Sequence, residues 1–158
     1  MSDLTVPTGR LRPEDDPGWA SYAETHLVIH GPVPLRIDLA HPPGPREIAG
    51  LVASGLPGTF GLVTPENPFG HPADAATNAT RLRDFLAALG AAPHVRVDGV
   101  SPDGAHVEHG VALPWPCAAV IALAVRWEQS AIYWFDGHAF WVVGALTDAG
   151  PWRLGTTA

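Results

Sequence analysis

There is no lysine anywhere in this chain; all nine basic residues are arginine. A phosphate loop of the Gly-x-x-x-x-Gly-Lys type therefore cannot form, and no Gly-x-Gly-x-x-Gly follows a predicted strand, which argues against the common nucleotide-dependent enzymes. A lone cysteine, Cys117, leaves no partner for an internal disulfide and too few thiolates for a multi-cysteine zinc site, in keeping with a reducing compartment. No apolar run reaches the roughly 18 to 20 residues that cross a bilayer, and the first 20 residues are polar and proline-containing, without a hydrophobic signal core. The expected location is cytoplasmic. Positive charge is also scarce, with 9 basic against 16 acidic residues and a formal net charge of -7. The basic stripe needed to bind nucleic acid or an anionic membrane is missing, although a local arginine can still hold one phosphate or carboxylate.

What is present is an apolar chain, 46% hydrophobic over 158 residues, enough for one domain that buries roughly 70% of its unfolded surface. Residues 1–20 are acidic and turn-rich and read as a loosely held arm, 21–150 as a single domain, and 151–158 as a tail. Strands are expected at Thr25 to His30 and Val33 to Leu39, joined through Gly31-Pro32. A helix follows at Arg46 to Ser54, stopping before Gly55. Thr59 to Thr64 is apolar or small throughout, as in a strand buried on both faces.

Asp74 to Leu89 is the strongest helical pattern: Leu82, Phe85, Leu86 and Leu89 form one stripe, Asp74 offers an N-cap and Gly90 a stop. His94 to Val100 and Ala105 to Leu113 alternate about the turn Ser101-Pro102-Asp103-Gly104. Pro116 opens a nearly wholly apolar helix to Trp127, in which Cys117 reads as core. Ser130 to Phe135 and Ala139 to Leu146 flank the hairpin signal Asp136-Gly137. The fold class is α+β. An antiparallel sheet carries helices packed on one face, with a ferredoxin-like (split βαβ) core from Thr59 to Phe135, a ββα addition before it and one extra strand after it.

Tyr22, Thr25, Thr64, Asn67-Pro68, Asn78, Pro102-Asp103-Gly104, Glu108 and Gln129-Ser130-Ala131-Ile132-Tyr133-Trp134 together give the chain its resemblance to a bacterial family known as domain of unknown function 3293. The likeness spans about residues 20 to 145. It departs where the family commonly has an aromatic before Asn67, here Glu66, and where it has Phe-Gly before Gln129, here Trp127-Glu128. The resemblance implies a coherent domain whose pattern includes these polar positions. It brings no activity with it.

Thr64-Pro65-Glu66-Asn67-Pro68 closes an apolar strand ahead of the best helix, a place where backbone N–H groups and a helix dipole converge. Thr64, Asn67, Asn78 and Gln129 are candidate ligand-binding groups at strand ends and a helix start, and Glu108 is a candidate catalytic acid or base. Each also has a plain structural reading, as a loop, cap or helix-end residue satisfying nearby backbone. His106 and Glu108 share a strand face, but His109 points the other way. His71, His94 and His138 stand at no diagnostic spacing, so neither a metal nor a cofactor is expected.

Ser54, Ser101 and Ser130 lack a nucleophile elbow. Aromatic residues gather late, and Trp134 and Trp141, placed on an edge hairpin, raise homo-oligomerisation through that hairpin. Two functions stand open. One is a non-enzymatic binding or accessory domain, taking an unknown small polar ligand or a protein partner. The other is an enzyme using Glu108 on a small polar or anionic substrate.

Overall fold

The structure, a computed structural model, describes residues 19–147 and 150–155. A 3-10 helix at Trp19–Glu24 leads into β1 (His26–Ile29), β2 (Leu35–Asp38) and α1 (Pro45–Ala53). Then come β3 (Phe60–Val63), a short 3-10 turn at Pro68–Gly70, α2 (Ala75–Leu89), β4 (Val95–Val100) and β5 (Val107–Leu113). The chain continues through α3 (Cys117–Arg126), β6 (Ala131–Phe135), β7 (Phe140–Gly144) and β8 (Trp152–Arg153). The arm expected over residues 1–20 lies outside the described residues, save for Trp19 and Ala20, which open the first 3-10 helix.

The eight strands among the described residues form one antiparallel sheet in the order β2-β1-β4-β5-β3-β6-β7-β8. Local chemistry sets the elements. The Asp74 carboxylate accepts from the Thr77 N–H at 2.7 Å to start α2, and Gly90 ends it with φ 56. The Asp136 carboxylate closes the β6–β7 turn by accepting from the N–H groups of His138 and Ala139.

Alternation along the strands feeds two cores, one on each face. Phe60, Leu62, Ala112, Phe135 and Val142 pack with Leu27, Ile37, Leu51 and Leu154 on one side. Val63, Val111, Leu113, Trp134 and Val143 pack with Phe85 and Leu89 of α2 and Val120 and Ala124 of α3 on the other. Gly61 is the contact that lets α3 down onto β3, since a Cβ there would lie 2.7 Å from a Val120 methyl. The sheet curls about the first core. Strands from its two ends contribute to that core, and Gly155, just beyond β8, lies so close to the turn after β2 that a Cβ would be 2.8 Å from the His41 carbonyl carbon.

Two expectations are corrected. Helices do not share one face: α2 and α3 cover the outer side, whereas Leu51 of α1 belongs to the inner core. The first helix follows a hairpin at the sheet's end, and the curl carries it round to the concave side. Nor is the aromatic hairpin an edge. β6 lies between β3 and β7, and β7 is covered by β8, a second strand beyond the single one expected. Trp134 is only 6% exposed, and Trp141 is partly buried against the outer core. No helix among the described residues is long and apolar enough to cross a membrane.

Candidate functional site

The site begins where β3 stops pairing. Gly61 to Val63 align with Leu113 to Val111 of β5, and at Thr64 the chain turns away. This leaves the backbone groups of His109 without a partner from β3, and two side chains take its place. The Thr64 hydroxyl donates to the His109 carbonyl at 2.7 Å, and the Glu66 carboxylate accepts from the His109 N–H at 2.7 Å. Glu66 is 5% exposed, and its second oxygen lies 3.3 Å from His109 Nδ1. A buried carboxylate is costly unless hydrogen-bonded, and here the bonds come from the strand that its own chain has left.

The loop beyond is locked from two directions. Asn67 has φ 49, left-handed geometry that asparagine tolerates better than most residues. Its Oδ1 accepts from the Ala73 N–H at 3.0 Å and from Asn78 Nδ2 at 2.9 Å, and its backbone N–H donates to Asn78 Oδ1 at 2.9 Å. One amide hydrogen goes to Glu108 Oε1 at 2.7 Å. From the other direction Arg81 donates through Nε to the Pro65 carbonyl at 2.6 Å and through a terminal nitrogen to the Trp127 carbonyl at 2.7 Å. Glu128 lies 3.3 Å from its other terminal nitrogen. Gln129, also buried, donates from Nε2 to the carbonyls of Glu66 and Trp127. The β3–α2 loop and the α3–β6 link are thus one hydrogen-bonded unit.

Beside this unit opens a pocket of about 510 Å³ on the concave side of the sheet. Its apolar floor includes Leu27, Leu62 and Val97, and Tyr22 and Tyr133 add aromatic surface. Thr64, Asn67, Asn78, Glu108 and Gln129 all lie in its wall. Their chemistry differs, however. Asn78, Asn67 and Glu108 form a direct relay, while Thr64 and Gln129 spend their donors on backbone carbonyls. Tyr133 donates its hydroxyl to the Tyr22 carbonyl at 2.8 Å. Burial first, and the Glu108 carboxylate in the same sense, push that hydroxyl's pKa far up, against a lowering hydrogen bond with Thr25, so it stays protonated. Ser130, 2% exposed and also in the wall, has a hydroxyl with no hydrogen-bond partner among the described residues.

Metal chemistry finds no cluster to work with: among the described residues no three His, Cys, Asp or Glu side chains gather around one point. Cys117 is half-buried, and desolvation pushes its thiol up to about 11, away from the thiolate a nucleophile needs. A smaller hollow of about 310 Å³ between α2 and α3 is lined by Phe85, Leu89, Trp115 and Trp127 and contains no carboxylate.

Sequence reasoning did not single out Arg81 or the part Glu66 takes. Arg81 carried a usable signal, since it follows Asn78 by three residues and so shares its helix face. Glu66 stood out only as a departure from the resemblance. Its work depends on β3 and β5 parting at one residue pair, which no local pattern announces.

These features define a small α+β domain with a half-apolar pocket under a locked loop. The family comparison falls on that region: residues 63–132 match the model described as "Protein of unknown function (DUF3293)". The resemblance read from the sequence holds over this segment, and all five candidate residues lie inside it, whereas Tyr22, Thr25, Tyr133 and Trp134 lie outside. No curated protein and no solved structure matches the chain.

Proposed function

We propose that this chain is a non-enzymatic small-molecule-binding or accessory domain whose ligand enters the concave pocket between the β3–α2 loop and β5. The observation that carries this reading is the gathering of Thr64, Asn67, Asn78, Glu108 and Gln129 in the wall of one pocket with an apolar floor. A volume of about 510 Å³ falls within the range of small-ligand sites, and few polar groups over apolar surface is their usual chemistry. Asn67 and Asn78 act as positioning residues, because their bonds are spent on each other, on Ala73 and on Glu108. The strand order β4-β5-β3-β6, with α2 and α3 as its helical connections, supports reading residues 60–135 as a split βαβ core with additions at both ends. In this reading residues 21–150 form the functional unit.

The test is a ligand-observed NMR screen of small fragments against the native chain and against Ala131→Phe, which fills the pocket from β6. Fragments that bind the native chain and lose binding in the filled variant support the reading. Equal binding to both, or none to either, overturns it. A second reading, an enzyme using Glu108 as acid or base, is favoured by one observation: Asn67 aims the carboxylate at 2.7 Å, beside the protonated Tyr133 hydroxyl. Small molecules from a cell extract, incubated with the native chain or with Glu108→Gln and followed by mass spectrometry, separate the two. Turnover that needs Glu108 favours the enzyme, and binding without turnover favours the binding domain.

A further inference from the structure

Independently of the concave pocket, we infer that the hollow between α2 and α3, on the outer side of the sheet, is a second binding site that takes a small carboxylic acid on an aromatic body. It measures about 310 Å³, at the lower end of small-ligand sites. Phe85, Leu89, Trp115, Leu123 and Trp127 wall it, and Trp127 meets Phe85 edge to face with 5.3 Å between ring centroids. Ala88 on α2 and Ala119 and Ala122 on α3 also line it, and their short side chains leave a gap between the helices where larger ones would interlock.

Arg126 is the single charged side chain in this wall. Its guanidinium makes no ion pair or hydrogen bond among the described residues. Nor does α3 need it as a cap. The N–H groups of Trp127, Glu128 and Gln129 already donate to the carbonyls of Leu123, Val125 and Ala124, and the Trp127 carbonyl accepts from Arg81 and Gln129. The acids on the flanking segments are engaged as well: Asp84 lies 3.3 Å from Arg83, and Glu128 lies 3.3 Å from Arg81. An unspent guanidinium at the mouth of an aromatic hollow offers a carboxylate paired donors while the ligand's body lies against the rings. An ammonium ligand would meet a like charge and find no carboxylate in the wall.

Three probes of one shape test this: 3-phenylpropanoate, 3-phenylpropanol and 3-phenylpropylamine, titrated into the native chain and followed by NMR at the indole N–H signals of Trp115 and Trp127. The expected order is acid, alcohol, amine, with the acid ahead of the alcohol by about fivefold at low salt, the gain from a charge-assisted pair at a half-open site. Raised salt should shrink that lead. Arg126→Gln keeps an amide donor without the charge, and it should erase the acid's lead while leaving the alcohol within about twofold. Ala122→Phe, and separately Ala88→Leu from the facing helix, should abolish binding of acid and alcohol alike. Ala131→Phe, which fills the concave pocket, should change neither. Unchanged circular dichroism establishes that each variant is folded.

An acid that binds no tighter than the alcohol, or a lead that survives Arg126→Gln, overturns the assignment of an acid. Failure of all three probes, or binding that Ala131→Phe removes and both hollow-filling variants retain, overturns the site itself. Sedimentation of the native chain as a dimer that Ala122→Phe dissociates would mean that a second copy fills the hollow, and it too overturns the inference.

Discussion

Strand β5 has two flanks, and they are built by different rules. Towards β4 it pairs residue by residue from Val95↔Ala112 to Val100↔Val107, six pairs in unbroken register. Towards β3 it pairs over three residues and then hands its backbone groups to side chains, Thr64 and Glu66, which copy the acceptor and donor pattern of a missing strand. Stability on the regular flank belongs to the backbone and tolerates side-chain change. On the open flank the same function is concentrated in a few side chains, so the sequence is constrained where the pocket begins. A sheet can be parted to admit a ligand only if something satisfies the strand left behind.

Substitutions can break this contrast, and Gly110 should do so most severely. A Cβ there would collide with the Val63 carbonyl oxygen at the point where β3 departs. Gly110→Ala should lower stability by about 1–3 kcal/mol, read as the urea midpoint, whereas Gly99→Ala on the other flank, whose Cβ would meet the Thr25 methyl at an ordinary 3.5 Å, should cost about 1 kcal/mol or less. Equal losses would show that the two flanks do not differ.

Next in size is Glu66. Glu66→Ala leaves the His109 N–H unsatisfied and should cost about 1–3 kcal/mol, while Glu66→Gln, which keeps an acceptor, should recover most of it. Slowed hydrogen exchange of the His109 amide in the native chain, lost in Glu66→Ala, checks the cause directly. An amide equally protected in both would remove Glu66 from this role.

Asn67 sharpens the comparison by separating conformation from bonding. Asn67→Ala loses three side-chain bonds and places a Cβ residue without asparagine's tolerance at φ 49. Asn67→Gly loses the same bonds but relieves the backbone. Gly should be more stable than Ala by about 0.5–1 kcal/mol in thermal melts, and both should weaken fragment binding. Ranking Ala above Gly would mean that conformation is not what selects this residue.

The mildest effect is that of acid. Two hydrogen bonds from Thr77 hold the exposed Asp74 carboxyl below its ordinary 3.8. A depressed folded-state pKa adds stability that is fully present above the unfolded value and is lost as pH falls through the folded one. A carbon-detected NMR titration should therefore place Asp74 below 3.8, and Asp74→Ala should flatten the acid limb of stability. The regular flank should be indifferent to both. A midpoint at or above 3.8 would sink the claim.

Periodicity and caps made most of the elements legible in the sequence. The stripe through Phe85 and Leu89, the Asp74 cap and the Asp136-Gly137 turn are each decided within a few residues, and each is found where local chemistry puts it. The residues gathered in the pocket wall were legible as a set, because strand ends and a helix start converge at one end of such a sheet. Curvature was not. Whether α1 covers the inner or outer side depends on how far eight strands twist, a sum over many small rotations that no single residue carries. The extra strand β8 is two residues long and gives no periodic signal. Arg81 and Glu66 act through partners 16 to 47 residues away in sequence, so their roles exist only in three dimensions.

The contact of Gly155 with His41 and Pro42 also bears on how the chain is made. It joins the turn behind one of the first strands to the residues just past the last one, so ribosomal synthesis delivers the two halves of this seam more than a hundred residues apart. Until residues 150–155 emerge, the turn after β2 lacks the segment that packs against it. A nascent chain halted before Gly150 would hold its hairpins and helices but leave Leu27, Ile37 and Leu39 without the Leu154 side chain that completes their enclosure.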